Sequence, residues 1–137
     1  MTRSVLFLCT GNSCRSQMAE GWLRHLDSRR FTVASAGTHP VGLNPWAVGV
    51  MKEKGIDISG HRSRRVDELL DQRFDYIITV CDRAKETCPI FPGVTSVLHW
   101  GFDDPAIAQG DDEARLTVFR RVRDEIAQHV REFIRSV

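Results

Sequence analysis

The strongest constraint in this chain is an apolar run that ends directly at a cysteine. Val5-Leu6-Phe7-Leu8 leads into Cys9-Thr10-Gly11-Asn12-Ser13-Cys14-Arg15-Ser16, and Gln17-Met18-Ala19-Glu20 follows. The order reads as strand, tight polar loop, helix. A continuous apolar run suits a strand buried on both faces, as in a parallel sheet. A loop that passes from such a strand into a helix N-terminus turns several backbone N–H groups into one concavity, which is an anion cradle. Arg15 adds a planar fork of donors that matches a tetrahedral oxyanion. The expected oxyanion-binding set is therefore Thr10, Gly11, Asn12, Ser13, Cys14, Arg15 and Ser16. Cys9 stands at the mouth of the cradle, five residues before Arg15. The donors and helix dipole that hold an anion there are expected to favour thiolate over thiol. One loop would then bind an oxyanion and aim a nucleophile at its central atom. The plainer alternative is a structural cysteine near a surface arginine. The strand before Cys9 and the amphipathic helix after Ser13 favour the catalytic reading.

The rest of the chain continues the alternation. Strand one is expected at about Ser4 to Leu8, and the first helix from about Cys14 to Leu26, with Met18, Ala19, Trp22, Leu23 and Leu26 on one face. A second strand begins at Phe31-Thr32-Val33-Ala34-Ser35 and ends at Gly37. Asn44 reads as an N-cap with Pro45 at the first helical position, and Gly55 as a left-handed cap beyond the end. His61, in a loop ending in basic residues, is expected to tie loops together. Val66 to Leu70 suggests a short helix. Phe74 to Val80 is a third strand that runs into Cys81, and a fourth lies at about Thr95 to Leu98. The last helix follows Gly110-Asp111-Asp112, with Phe119, Val122, Ile126, Val130, Phe133 and Val137 recurring at steps of three and four.

This pattern predicts an α/β fold: three layers, with a four-stranded parallel sheet in the order 2-1-3-4 and helices on both faces. The 137 residues are read as a single domain, 1–137. In an open parallel sheet a ligand binds at the carboxyl ends of the strands, where the strand order switches. Here that point lies between strands one and three, which end at Cys9 and Cys81. Neighbouring strands are ~4.8 Å apart. Bonded cysteines need Cα atoms about 4.4–6.8 Å apart. The fold alone could therefore bring Cys9 and Cys81 within bonding range after a modest loop movement.

Cys81 and Cys88 flank Asp82-Arg83-Ala84-Lys85-Glu86-Thr87, a stretch of good helix formers stopped by Pro89. In a helix, residues seven apart are separated by about 10.5 Å along the axis. That exceeds the ~7 Å limit for a disulfide, so bonding Cys81 to Cys88 requires the segment to unwind. Two unrelated core cysteines are the alternative. A thiolate attack also needs a proton donor for the departing oxygen. Asp103 and Asp104 are candidates, and Asp104, restrained by Pro105, is preferred over a mere turn-initiating pair.

Composition narrows the function classes. A net charge of +1 is too near neutral to argue for nucleic acid or an anionic membrane. The N-terminal apolar run is too short for a signal peptide, and no stretch approaches a membrane span. A cytoplasmic location is expected. There the four cysteines should be catalytic, metal-binding or inert rather than permanently bridged. Zinc is disfavoured, because the C-x4-C and C-x6-C pairs lack a histidine at ligand spacing, and no metal is expected.

Cys9 to Arg15 with Ser16, and Asp104-Pro105 late in the chain, resemble the low-molecular-weight protein tyrosine phosphatases. Asn44-Pro45, Asp57-Ile58-Ser59, Cys88-Pro89-Ile90, His99 to Pro105 and Arg121 to Ile126 look closer to the thioredoxin-coupled arsenate reductases built on that fold. The Cys9, Cys81, Cys88 triplet separates the reductases from the plain phosphatases. The resemblance implies that arsenate docks on Arg15 and the loop amides, and that Ser16 hydrogen-bonds the Cys9 thiolate. Cys9 attacks arsenic while Asp104 protonates the departing oxygen. Cys81 then attacks Cys9, Cys88 attacks Cys81, and thioredoxin reduces the resulting disulfide. Cys14 has no part in this relay.

Some members of the family bind potassium beside the loop. Asn12, Glu20 and Ser35 match three of the ligands, but Arg64 stands where an aspartate is expected. A potassium site is therefore doubtful, and the Arg64 guanidinium is expected to pair with Glu20 instead. No tightly bound cofactor is implied, and a monomer is expected. Two other readings stay open at this point. One is a phosphatase using Cys9, Arg15 and Asp104, with Cys81 and Cys88 protecting Cys9 from overoxidation. Ala106-Ile107 after Asp104-Pro105 offers no aromatic grip for a phenyl ring, which favours a small inorganic substrate. The other is a non-enzymatic oxyanion sensor, against which the nucleophile in the cradle argues.

Overall fold

Strand β1 (Arg3–Cys9) sits at the centre because its side chains tolerate no water on either face. Val5 and Phe7 point one way, Leu6 and Leu8 the other, and none has exposed surface. The computed structural model describes residues 2–82, 93 and 96–137. On one side β1 pairs in parallel with β2 (Phe31–Gly37), and on the other with β3 (Tyr76–Thr79). β3 in turn pairs with β4 (Ser96–His99), so the order is β2-β1-β3-β4, as the alternation of elements predicted. The register sets Cys9 against Gly37 and Leu8 against Thr79.

β3 is shorter than the expected Phe74–Val80. Phe74 is buried before the ladder begins, and the Val80 N–H reaches back to the Leu8 carbonyl at 2.9 Å. Cys81 follows at once. The switch point between β1 and β3 is thus flanked by one cysteine from each strand.

Helix α1 (Arg15–Asp27) buries Met18, Ala19, Trp22 and Leu23. Leu26, expected on the same face, is 36% exposed, because it lies in the last turn beyond the packed part of the helix. Helix α2 (Pro45–Lys52) begins as predicted: the Asn44 side-chain oxygen accepts the Trp46 N–H at 2.8 Å. Gly55, with φ +75°, takes the left-handed turn beyond its end. The helical signal at residues 66–70 resolves into one 3-10 turn, Val66–Leu69. Helix α3 (Asp112–Ser136) is capped by Asp111, whose carboxylate accepts the Ala114 N–H at 2.8 Å. Its buried stripe is Phe119, Val122, Ile126, Val130 and Phe133, and Phe133 meets the rings of Phe31, Tyr76 and Trp100. α3 packs on α1 and α2. Among the described residues, no helix is long and apolar enough to cross a membrane.

Candidate active site

The loop between β1 and α1 is shaped by Asn12, whose φ of 47° is left-handed. Asparagine tolerates that conformation better than most residues. The turn aims the Asn12 N–H at the Cys9 sulfur, 3.1 Å away. The loop also lies tightly on β2: a Cβ at Gly37 would stand 2.5 Å from the Thr10 carbonyl oxygen. Only glycine fits there without a backbone shift.

Cys9 is buried, and its sulfur lies 2.8 Å from the Ser16 hydroxyl. The direction of that hydrogen bond can be worked out. Asn12 Nδ2, which can only donate, gives a proton to Ser16 Oγ at 2.8 Å. The hydroxyl hydrogen of Ser16 is then left for the Cys9 sulfur. Burial pushes the Cys9 thiol up from its ordinary value, Ser16 and the Asn12 N–H pull it down, and nearby Cys81 adds to the rise. The donors act in the expected direction, toward thiolate, but desolvation is the larger effect and outweighs them.

The expected oxyanion set divides into two groups. Thr10 and Arg15 line a cavity of about 640 Å³, together with Cys81, Asp82, Gly101, Phe102, Asp103 and Asp104. The Asn12 and Ser16 side chains instead turn into the protein and have no exposed surface. Asn12 Nδ2 also donates to Ser35 Oγ, while its Oδ1 accepts from the Arg64 N–H and from Gln17 Nε2. Its side chain is thus used up in holding the loop, and only its backbone is left to serve an anion. Gly11 and Ser13 are pinned from behind through their carbonyls, by Val41 and Asn44. Cys14 is the buried N-cap residue of α1, its thiol pushed up to about 12 chiefly by burial. That suits a spectator.

The second thiol arrives as the topology predicted. Cys81 Sγ lies 3.4 Å from Thr10 Oγ1 at the edge of the cavity. Cys9, Cys14 and Cys81 are all buried. Cys88, and with it the expected helix between Cys81 and Cys88, lies outside the described residues. Asp104 both initiates a turn and faces the site. Its Oδ1 accepts the Ala106 N–H at 3.0 Å, and its Oδ2 lies 3.6 Å from Arg15 Nη2. Arg15 Nη1 also donates to the Phe102 carbonyl. Asp103 is drawn away to Arg121 of α3 at 3.0 Å, which leaves Asp104 as the acid beside the arginine.

Sequence reasoning missed a polar stripe on α1 that is buried at Ser16, Gln17 and Glu20 and reaches the surface at Arg24. Ser16, Gln17, Glu20 and Arg24 recur at helical spacing, and that spacing was the available signal. Glu20 Oε1 accepts from the Ser35 hydroxyl at 2.6 Å, and its Oε2 from Arg24 Nη2 at 2.6 Å. Arg24 Nη1 donates to His61 Nε2, so the His61 Nδ1–H is free for Gln17 Oε1. Burial lowers the His61 pKa, in keeping with that neutral ring. His61, expected to tie loops together, instead ties its loop to helix α1. The cation on Glu20 is Arg24, not Arg64: Arg64 meets Asn12 through its backbone N–H instead. These residues do not fit potassium. The Glu20 carboxylate already carries a guanidinium, and the Asn12 oxygen already accepts two N–H groups.

Comparison with known proteins agrees with this geometry. The family profile described as low molecular weight phosphotyrosine protein phosphatase matches residues 4–137. An arsenate reductase of Halalkalibacterium halodurans is 51% identical over 129 residues, 94% of this chain and 93% of its own. An arsenate reductase solved in the oxidized state superposes with a TM-score of 0.85 at 30% identity, covering 98% of each chain. The thioredoxin-dependent arsenate reductase of Corynebacterium glutamicum gives a TM-score of 0.78 at 28% identity, over 98% of this chain and 61% of that one. With its cysteine cradle, its Arg15–Asp104 pair and a second thiol at the switch point, the chain belongs to the low molecular weight phosphotyrosine protein phosphatase family, on its arsenate reductase branch.

Proposed function

We propose that this chain, acting as one domain over residues 1–137, reduces arsenate to arsenite by a relay through Cys9, Cys81 and Cys88. Arsenate is held by Arg15 and the backbone N–H groups of the loop from Thr10 to Ser16. The Cys9 thiolate attacks arsenic, a sulfur–arsenic bond forms, and the departing hydroxyl leaves as water with the Asp104 proton. Cys81 then attacks the Cys9 sulfur. The electron pair of the sulfur–arsenic bond stays on arsenic, which leaves as arsenite, and a Cys9–Cys81 disulfide remains. Cys88 attacks Cys81 and frees Cys9. An external dithiol of the thioredoxin kind reduces the Cys81–Cys88 bond. A reducing, cytoplasmic compartment suits this chemistry.

One observation supports the reading: a second buried cysteine, Cys81, borders the same cavity as Arg15 and Asp104. The chemistry of phosphate-ester hydrolysis does not use it; in a phosphatase its role would be confined to protecting Cys9 from overoxidation. The test is arsenite production with thioredoxin, its reductase and NADPH. Cys9→Ser is expected to lower turnover by about 10³-fold or more. Cys81→Ser and Cys88→Ser should also abolish steady turnover. Retained turnover in Cys88→Ser would overturn the three-cysteine relay, and aryl phosphate hydrolysis without arsenite would establish a phosphatase instead.

A further inference from the structure

His99 stands outside the relay just described, yet it is bound to the residue next to Cys81. It closes β4 directly opposite Thr79 of β3. Its Nδ1 lies 2.7 Å from Thr79 Oγ1, and its Nε2 lies 2.9 Å from Asp82 Oδ1. Asp82 follows Cys81 and lines the same cavity.

The polarity of this chain is fixed at one end. A carboxylate only accepts, so His99 Nε2 carries the proton toward Asp82. In the neutral ring Nδ1 then accepts from the Thr79 hydroxyl. In the protonated ring the Thr79 oxygen accepts and can turn its own hydrogen to the Leu98 carbonyl, 3.4 Å away. The link to Asp82 therefore exists in both states of the ring. Its inner half is well anchored: Thr79 is buried, and its carbonyl accepts the Trp100 N–H at 2.8 Å. Gly101 leaves the space beside the pair open; a Cβ there would stand 3.5 Å from His99 Nε2 and 3.8 Å from Asp82 Oδ1.

We propose that His99 is a positioning residue for the second thiol: by holding Asp82 against β4, it keeps Cys81 in place beside Thr10 for attack on Cys9. The proposal rests on the relay above and adds a residue that acts only on its second step. The Asp82 side chain is 89% exposed, so the expected effect is moderate. An exposed charged pair contributes little to stability, which corresponds to about a two- to fivefold change in rate.

The experiment uses the full-length chain in a Cys88→Ser background, where the reaction stops at the Cys9–Cys81 disulfide. Formation of that disulfide is followed by mass spectrometry after one addition of arsenate. His99→Leu and Asp82→Ala are expected to slow it about two- to fivefold. His99→Gln, whose amide N–H can still reach Asp82, is expected to restore it. The arsenate concentration that gives the half-maximal rate and the alkylation rate of Cys9 should not change in the two His99 variants. If His99→Leu folds poorly, Asp82→Ala alone decides, since its side chain faces solvent. Unchanged disulfide formation in both variants overturns the proposal, as does an equal loss in Cys9 alkylation. A parallel arm replaces arsenate with hydrogen peroxide. Peroxide oxidises Cys9 to a sulfenic acid, and Cys81 displaces water from it to give the same disulfide. If the wild type makes no arsenite, this arm still reads the tether, so a failed relay and a failed tether give different results.

Discussion

The loop around Cys9 and the arm around Cys81 leave neighbouring strands side by side, but they are held very differently. Asn12 alone engages Cys9, Ser16, Ser35, Gln17 and Arg64, all inside the protein. Behind it, a buried bond from Ser35 to Glu20 continues through Arg24 to His61 at the surface. The contacts described on the other side are longer or nearer to water. Cys81 meets Thr10 at 3.4 Å, and Asp104 meets Arg15 at 3.6 Å. His99 reaches an exposed Asp82. The contrast matches the chemistry each side must do. A cradle for a tetrahedral anion gains from donors that do not reorganise. In the proposed relay Cys81 accepts one bond and passes it on, which requires it to move.

Mutations can break this contrast. The largest effect is expected for Asp104→Asn, which removes the proton donor while leaving the Ala106 cap possible through the amide oxygen. Turnover should fall about 10²-fold or more, with Cys9 alkylation unaffected. Equal losses in both would mean that Asp104 only shapes the loop. Next comes Asn12→Ala. It strands the partners of its side chain on α1, on β2 and in the Arg64 loop, and should cost about 3 kcal/mol of stability by urea denaturation. The same test on Asp82→Ala should cost less than about 1 kcal/mol. Comparable costs at the two positions would erase the distinction between the regions.

Ser16→Ala tests the electrostatics of the firm side. The Ser16 hydroxyl lowers the Cys9 pKa against the effect of burial. Without it, that pKa rises further and the thiolate fraction at neutral pH falls. Alkylation of Cys9 should then be about tenfold slower at pH 7. The gap should close as pH rises, because thiolate forms in both proteins at high pH. A gap that persists at high pH would point to a change of shape rather than of charge. The smallest effect is expected from potassium. With Arg24 on Glu20, neither melting temperature nor turnover should respond to exchanging sodium for potassium at constant ionic strength. A potassium-dependent gain would show that Arg24 yields its place.

Most of this arrangement was legible in the chain itself. The apolar run into Cys9 placed β1 at the centre, and the alternation of elements set the strand order. That order brought Cys81 beside the cradle before any coordinates were needed. Asn44 and Gly55 announced the ends of α2 through chemistry that acts within a few residues. What was hidden depends on contacts between distant residues. Arg64 was expected on Glu20, but its loop enters through a backbone N–H, and Arg24 lies one helical turn from Glu20 instead. The rise in the Cys9 pKa comes from complete burial, which the loop motif does not encode. The pairing of His99 with Asp82 needs the β3–β4 register, which no local pattern supplies.

The central claim is that Cys81 takes the bond directly from Cys9. The most direct measurement is a single turnover of the Cys88→Ser variant with arsenate, followed by quenching with an alkylating agent and peptide mass spectrometry. The account predicts one equivalent of arsenite and a disulfide joining Cys9 to Cys81, with Cys14 alkylated. Arsenite release with both Cys9 and Cys81 still reduced, or a disulfide that includes Cys14, would contradict it.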